Sequence, residues 1–229
     1  MTIQITSTKE VAAQRITGLI YGHPGAGKTT LAKTCPGKTL IVSAESGLLP
    51  LADTAIDVVE ISQWREIGEL FMFLDQPQTK EKYQWIFVDS LTELGQRLLE
   101  YLKEKYPDRK DAIKMWGDYS DAITGFVKSI RDYKPYSVIF TALAVSEKDD
   151  LNRTYYGVDL NGKISQRLPA YFDLVCSLRI LTNDKGEQQR VLQTSQSDGW
   201  IAKDRSGKLS LFEPPDLTHI TKKILTITN

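Results

Sequence analysis

The sequence predicts an α/β fold in which a mainly parallel central sheet is flanked by helices, with antiparallel strands added at the C-terminal edge. Four short apolar runs rich in β-branched residues are typical of buried parallel strands, and they lie at residues 17–21, 39–43, 85–88 and 137–141. Each run is followed by a helical or polar stretch, an alternation that favours helices on both faces of the sheet. Two further alternating runs, 174–181 and 190–194, flank turn-forming residues and predict a hairpin.

Apolar residues at helical spacing predict the covering helices. They occur at residues 62–74, where Ser62 is the expected N-cap, and at residues 91–105, 116–133 and 216–227. A further helix is expected to begin at Lys28. Residues 147–162 are polar and show no sustained period, so they predict a functional or mobile loop rather than a tight connection.

Length and composition indicate one globular domain, residues 1–229. Acidic and basic residues number 29 each, so the chain as a whole has no attraction for nucleic acid, and a DNA contact would need a local patch. No apolar run is long enough to cross a membrane, and residues 1–10 lack the apolar stretch of a signal peptide, which predicts a cytosolic protein. Cys35 and Cys176 are far apart in the sequence and predict buried or idle thiols.

The strongest chemical signal is a glycine-rich loop directly after the first predicted strand. Residues 22–29 fit the pattern G-x-x-x-x-G-K-[ST], in which glycines let backbone N–H groups face phosphate oxygens at the start of a helix. Lys28 is expected to reach the β- and γ-phosphates, and Thr29 is expected to ligate Mg²⁺. The pattern predicts an Mg-ATP site made by nine residues, Gly22, His23, Pro24, Gly25, Ala26, Gly27, Lys28, Thr29 and Thr30.

Carboxylates that follow two other strands are expected to complete this site. Asp89 ends an apolar run, and ligands of open α/β sheets bind where the strands end, so Asp89 is expected to hold Mg²⁺ through a water molecule. Hydrolysis also needs a group that orients or deprotonates the attacking water. Many ATPases of this kind have a glutamate directly after the aspartate, but this chain has Ser90 there. We therefore expect Glu45, after the second strand, to be the catalytic base, with Glu93 as the second candidate.

The residues leave two other functions open beside an ATPase. A P-loop kinase for small molecules usually carries an arginine-rich lid, and residues 144–162 contain only Arg153, which argues against that class. A nucleotide-gated binding module, such as a loader for a helicase or an annealing protein, would use ATP to set its conformation and would need no significant turnover.

With these residues placed, the chain resembles the RecA family. Residues 43–48 (SAESGL) are similar to the RecA strand that ends in Ala-Glu, and residues 88–91 (VDSL) to its Val-Asp-Ser step. Residues 138–141 resemble the strand before the second DNA-facing loop of RecA, and residues 147–163 fall where that loop would be. Residues 203–207 (KDRSG) are similar to the Lys-Asn-Arg-Phe-Gly motif of the bacterial RadA branch.

The size and this set of motifs resemble the compact phage RecA-like ATPases of recombination, some of which anneal single-stranded DNA. The resemblance implies a homo-oligomeric ring or filament that acts on single-stranded DNA in recombination or replication, with a single-strand binding protein as a further partner. If the gene is carried by a phage, the protein would work in the host cell cytosol.

The resemblance also assigns expected roles to residues outside the glycine-rich loop. Lys203 and Arg205 would complete the site of a neighbouring subunit, the alternative being that they are solvated charges on a hairpin. RecA senses the γ-phosphate with a glutamine at the end of the strand before its DNA loop, and Thr141 is the expected hydrogen-bonding substitute here.

Three residues of the predicted loop are candidates for contact with DNA. Arg153 would supply a cation, and Tyr155 and Tyr156 would supply two faces on which bases could stack. The alternative is that these side chains pack the loop itself.

Overall fold

A mainly parallel β-sheet forms the centre of the protein. The structure is a computed structural model and describes residues 15–45, 47–133, 135–149 and 151–225. Within them the strands are β1 (Thr17–Gly22), β2 (Thr39–Ser43), β3 (Asp57–Glu60), β4 (Trp85–Asp89), β5 (Ser137–Lys148), β6 (Thr154–Val158), β7 (Leu174–Thr182), β8 (Gln188–Gln193), β9 (Lys203–Asp204) and β10 (Phe212–Glu213). Their order is β10-β8-β7-β1-β5-β4-β2-β3, with β6 beside β5 and β9 beside β7.

The strand directions confirm the predicted fold class. Strands β3, β2, β4, β5, β1 and β7 are parallel to their neighbours in this order. The remaining four strands, β6, β8, β9 and β10, pair antiparallel. All residues of β1, β2 and β4 are buried, as expected of mainly apolar strands that are covered on both faces.

All four predicted parallel strands and the predicted hairpin are present, but strand β3 was missed. Its four residues, Asp-Val-Val-Glu, alternate between half-buried and exposed positions at the edge of the sheet. Both ends of this strand are acidic, and its two apolar residues are too few to show a periodic apolar pattern.

The longer helices cover one face of the sheet. The described α-helices are α1 (Ile67–Asp75), α2 (Pro77–Lys82), α3 (Leu91–Lys105), α4 (Ala112–Arg131), α5 (Ile164–Arg167) and α6 (Leu217–Leu225). Helix α3 has the predicted bounds, α4 begins four residues before the predicted start, and α6 lies within the predicted range, of which residues 226 and 227 are outside the described residues. No helix among the described residues has the length and apolarity needed to cross a membrane.

Two helix starts differ from the prediction. Ser62 is not the N-cap of the helix at residues 62–74, because that segment begins with the 3-10 turn Trp64–Glu66, and the Glu66 carboxylate accepts hydrogen bonds from the backbone N–H of Ser62 and Gln63. The segment after the glycine-rich loop is a 3-10 helix, Thr29–Thr34, that begins after Lys28 instead of an α-helix that begins there.

The polar segment 147–162 is largely a β-hairpin, whereas its sequence predicts a functional or mobile loop. Strand β5 continues through the segment to Lys148, and β6 pairs back on it with Glu147 opposite Tyr155. Asn152 adopts a left-handed conformation in the connecting turn, with a φ of 60°. A hydrogen bond from the Tyr155 hydroxyl to Glu147 on the opposite strand stabilises this hairpin, and such a polar pair gives no apolar alternation in the sequence.

Apolar residues pack on both faces of the sheet. On one face, Leu19 and Phe140 pack with buried residues of α1, α3 and α4. On the other face, Ile20 and Phe87 pack with Leu31 and with helix α6. The first turn of α6 also binds the 3-10 helix, since Leu217 donates its N–H to Thr34 Oγ1 at 2.9 Å and Thr218 Oγ1 donates to the Thr34 carbonyl at 2.8 Å.

Candidate nucleotide-binding site

The parallel sheet brings the predicted site residues to the carboxyl ends of its strands. The glycine-rich loop follows β1, Glu45 follows β2, and Asp89 ends β4. Strand β5, which lies between β1 and β4, carries Thr141 opposite Ile20. The glycine-rich loop, Glu45 and Asp89 are up to 67 residues apart in the sequence, and they lie together at the carboxyl ends of the parallel strands.

The glycine-rich loop contains two glycines in a left-handed backbone conformation. Gly25 and Gly27 have φ angles of 76° and 103°, a left-handed region that a side chain would strain. Lys28 Nζ donates to the carbonyl oxygens of Gly22 at 3.0 Å and His23 at 3.1 Å, so the lysine spans the loop.

Lys28 is a buried cation, with 9% of its surface exposed. Burial lowers the pKa of its ammonium group, while the nearby Glu45 and Asp89 carboxylates act in the opposite direction. Because Lys28 lines the cleft and is shielded from water, its charge would act more strongly on a bound phosphate than the charge of an exposed lysine.

The Asp89 carboxylate accepts hydrogen bonds from two hydroxyl groups that belong to different elements. Thr29 Oγ1 donates to its Oδ2 at 2.6 Å, and Thr141, which is fully buried, donates to its Oδ1. The expected sensor Thr141 thus lies against the aspartate, and its hydroxyl also contacts the Val88 carbonyl at 3.3 Å. Oxygen donors from Thr29 and Asp89 are the kind of ligand that Mg²⁺ prefers.

Glu45 is positioned by a serine that follows Asp89. Ser90 Oγ donates to Glu45 Oε1, and the same hydroxyl accepts the N–H of Glu93 as the N-cap of α3. The second candidate base, Glu93, instead pairs with Arg97 at 3.3 Å on its own helix. The structure therefore brings Glu45, and not the Glu93 side chain, to the neighbourhood of Lys28.

A cleft of about 630 Å³ opens beside Lys28, Thr29 and Glu45, and its volume is within the size range of ligand pockets. Its lining includes Glu45 and most of the glycine-rich loop. Residues from more distant parts of the chain complete it, namely Leu143, Leu178, Arg190 and Pro215.

Comparison with known proteins agrees with this arrangement. A family model described as an AAA domain matches residues 14–206. The chain belongs to this AAA domain family. Membership supports a P-loop nucleotide-binding domain. No curated protein matches the chain significantly.

One solved structure similar to this AAA domain is a prototypical ATPase from the type III secretion system of pathogenic bacteria. The two share 12% identity with a TM-score of 0.45, and the match covers 75% of this chain. It covers 55% of the secretion ATPase, so the AAA domain chain spans about half the length of that protein.

An aromatic cluster lies beside the P-loop of this AAA domain. Tyr156 of β6 and Trp200 stack with ring centres 4.3 Å apart and 10° between their planes. His23 meets both rings edge-on, at 5.4 Å from Trp200 and 6.1 Å from Tyr156, and Arg179 lies over the Trp200 ring at 5.3 Å. The second P-loop residue is thus in contact with the β5–β6 hairpin.

The three residues expected at DNA all have partners within the hairpin or beside it. Tyr156 has one face on Trp200, the Tyr155 hydroxyl donates to Glu147, and Arg153 Nε donates to Asp149 at 2.7 Å. Arg153 is nonetheless largely exposed, with 74% of its side chain in contact with solvent.

Lys203 and Arg205 lie beside the amino-terminal end of β7, whereas the cleft lies at the carboxyl ends of the parallel strands. Strand β9 pairs with the first residues of β7, where Lys203 is opposite Val175. Lys203 Nζ donates to the Pro169 carbonyl at 2.7 Å, and Arg205 binds the Asp173 carboxylate at 3.1 Å. The AAA domain does not bring these two cations to its own P-loop.

Sequence reasoning missed the roles of Ser90, Trp200 and Arg190 at the site. A signal for Ser90 was present, since serine followed three residues later by glutamate is a helix-capping pattern. Arg190 Nε donates to the Ala26 carbonyl at 3.0 Å across a separation of 164 residues, and no local pattern predicts a contact of that range.

Proposed function

We propose that this AAA domain is a single RecA-like ATPase domain that binds Mg-ATP at residues 22–30 and hydrolyses it. The observation that carries the proposal is the contact of Thr29 Oγ1 with Asp89 Oδ2 at 2.6 Å, beside a buried lysine and a positioned glutamate. A P-loop threonine and a strand-end aspartate in contact are the arrangement that holds magnesium in P-loop ATPases.

The residues present fit the expected ion. Mg²⁺ takes oxygen ligands and usually keeps several waters, so a threonine hydroxyl and one carboxylate beside substrate phosphates are a suitable set. When bound, the ion would neutralise phosphate charge as it develops in the transition state. Thr141 donates to the other Asp89 oxygen and so fixes the orientation of the carboxylate.

The chain supplies the remaining groups for hydrolysis. Lys28 brings a desolvated positive charge to the β- and γ-phosphates, which stabilises charge on the transferred group. Glu45 accepts the proton of the attacking water, and the Ser90 hydroxyl on its Oε1 restricts the direction of the carboxylate.

Two substitutions test this site. Lys28→Ala removes the phosphate-binding cation and is expected to abolish ATP binding. Glu45→Gln is expected to bind ATP like the wild type while hydrolysis falls about 100-fold, because the general base is lost and the shape is kept. The measurements are ATP affinity and phosphate release in the presence of Mg²⁺, with no phosphate acceptor added.

Glu93→Gln is the matched control, since Glu93 pairs with Arg97 on α3, and its turnover should stay within about two-fold of the wild type. Wild-type protein that binds ATP without turnover would support a nucleotide-gated module instead of an ATPase.

We further propose that the substrate of the assembled protein is single-stranded DNA, in recombination or replication of a phage or prophage, beside a single-strand binding protein. The proposal is supported by the β5–β6 hairpin, which carries the exposed Arg153 and contacts the P-loop through Tyr156, Trp200 and His23. This cluster offers a physical route from DNA at the hairpin to the nucleotide.

The DNA proposal is tested by adding a single-stranded oligonucleotide at low salt. Binding should be detectable by fluorescence anisotropy, should weaken as salt is raised, and should change the rate of ATP turnover. Arg153→Ala should weaken binding of all sequences alike. An oligonucleotide that neither binds nor alters turnover at low salt would contradict this part of the function.

A further inference from the structure

Strand β8 places an arginine directly beside the P-loop. Arg190 Nε donates to the Ala26 carbonyl at 3.0 Å. A Cβ atom added to Gly27 would lie 3.5 Å from the same nitrogen, so the side chain packs against the P-loop backbone at the glycine before Lys28. Arg190 also lines the cleft together with Gly27, Thr30 and Pro215.

Among the residues that the structure describes, the two terminal nitrogens of the Arg190 guanidinium group have no hydrogen-bond partner. Among the described residues, no carboxylate lies within ion-pair distance of Arg190, and the Ala26 carbonyl is its one hydrogen-bond partner. Other arginines close to the sheet edge are engaged differently, as Arg179 is by Gln193 and the Trp200 ring. A cation in a cleft with no acidic partner is suited to an anion that enters the cleft.

The negative charge of a nucleotide would be balanced better by two cations in the cleft than by one. Among the described residues that line the cleft, Lys28 and Arg190 are the cations and Glu45 is the anion. A nucleoside di- or triphosphate carries more negative charge than one lysine can balance. A guanidinium group presents a rigid set of donors that matches phosphate oxygens.

We propose that Arg190 is a nucleotide-binding residue supplied by the same chain, with Nε held by Ala26 while Nη1 and Nη2 donate to phosphate oxygens of ATP or ADP. This inference rests on the proposed function, because it concerns the same cleft. It differs from the roles expected of Lys203 and Arg205, since Arg190 reaches the P-loop of its own chain.

A purely structural role makes a different prediction. If Arg190 only braces the P-loop through the Ala26 carbonyl, a neutral side chain with an N–H donor should replace it. If Arg190 binds phosphate as a cation, that neutral side chain should fail. Arg190→Gln therefore separates the two roles, and Arg190→Ala removes both.

The test is ADP affinity, measured by calorimetry at two salt concentrations, for the wild type, Arg190→Ala and Arg190→Gln. Arg190→Gln should bind ADP about ten-fold more weakly than the wild type, as expected for one lost hydrogen bond to a charged group. Arg190→Ala should bind ADP at least as weakly, because it also loses the contact with the Ala26 carbonyl. Both should also depend less steeply on salt, because one cation is missing. Thermal melting verifies that each variant is folded.

Lys185→Ala is the matched control, because it removes one positive charge from the exposed turn between β7 and β8 without altering the cleft. Its ADP affinity should equal that of the wild type. If Arg190→Gln binds ADP like the wild type, Arg190 is a brace and the inference is wrong, and unchanged binding by both variants also overturns it. If the wild type binds neither ATP nor ADP, the proposed function fails and takes this inference with it.

Discussion

At the scale of single residues, Asp89 and the residue after it organise the candidate site. The Asp89 carboxylate accepts hydrogen bonds from Thr29 and Thr141, and its backbone oxygen accepts from the Ala44 N–H at 2.8 Å. Ser90 then holds the Glu45 carboxylate and caps α3. Two adjacent residues thus link the P-loop, β2, β5 and α3.

Ser90→Ala is predicted to reduce turnover about ten-fold with little change in the KM for ATP. The reason is that Glu45 loses the donor that orients it, whereas the phosphate-binding groups are untouched. The variant also loses the N-cap of α3, which should lower the free energy of unfolding by about 1 kcal/mol. The measurements are steady-state ATPase kinetics and urea unfolding.

Ser90→Gly separates these two effects, because glycine is tolerated at an N-cap at a cost of only a few tenths of a kcal/mol. It should lose turnover as Ser90→Ala does while keeping most of the stability. Equal kcat values for the wild type and Ser90→Gly would show that the hydrogen bond to Glu45 has no part in hydrolysis.

The site could be predicted from the sequence where chemistry coincides with a strand end. The P-loop pattern and the strand-end position of Asp89 and Glu45 depend on local sequence, and the structure places all three at one edge of the sheet. Arg190 and Trp200 reach the same place through pairing of β8 and through ring stacking, so their position depends on the tertiary fold. A local pattern contains no information about such contacts.

At the scale of elements, Glu213 of β10 binds two side chains of helix α6 and so connects this helix to the sheet. Its side chain is 4% exposed and accepts from Lys223 Nζ at 2.5 Å, from the Ser210 N–H at 2.7 Å and from His219 Nε2 at 2.8 Å. Burial alone would raise the pKa of the carboxyl, but Lys223, Ser210 and His219 outweigh it and lower the pKa to about 2.

This network predicts a pH-dependent contribution to stability. The folded protein keeps Glu213 ionised where the unfolded chain has bound a proton, so the stabilisation is complete above about pH 4.5 and is lost as the pH falls towards about 2. Glu213→Gln should lower the free energy of unfolding by about 3 kcal/mol at pH 7, and by about half of that at pH 3. Denaturant unfolding at the two pH values measures both differences.

Asp184→Asn, in the exposed turn between β7 and β8, is the control for removal of a carboxylate, and it should change stability little at either pH. A gap between the wild type and Glu213→Gln that stays the same at pH 7 and pH 3 would contradict the assignment.

The elements that were predicted well from the sequence are those in which one buried face produces a regular repeat of apolar residues. Helix α3 has a regular apolar face and its bounds were predicted without error, whereas β3 and β6 are short, partly exposed strands. Strand β6 is stabilised by pairing with the extension of β5 and by the stack of Tyr156 on Trp200, and both contacts depend on distant residues. Partial exposure removes the apolar signal that sequence analysis needs.

At the scale of the whole molecule, the two ends of the parallel strands carry different groups. Glu45 and the P-loop lie at the carboxyl ends, and Lys203 and Arg205 lie beside the start of β7. Within one chain these cations are therefore at the opposite end of the strands from the candidate nucleotide site. A contribution to catalysis from them requires a second copy of the chain.

Mixing two inactive variants is predicted to restore activity if copies share a site. In a mixture of Glu45→Gln and Arg205→Ala, some interfaces pair an intact Glu45 with an intact Arg205 from the other copy. Turnover should then exceed the sum of the two variants measured alone, and the specific activity of the wild type should rise with protein concentration. Strictly additive rates would show that Arg205 does not act on a neighbouring copy.

The long separations between contacting segments also fix the order in which the site can form during synthesis. The strand before the P-loop pairs with β5 and β7, Arg190 reaches Ala26 from 164 residues away, and Leu217 reaches Thr34 from 183 residues away. A growing chain on the ribosome therefore carries the whole phosphate-binding motif long before the segments that support it have been translated. Such a nascent chain is expected to gain affinity for nucleotide only late in its synthesis, which limits the time during which an incomplete domain could trap ATP.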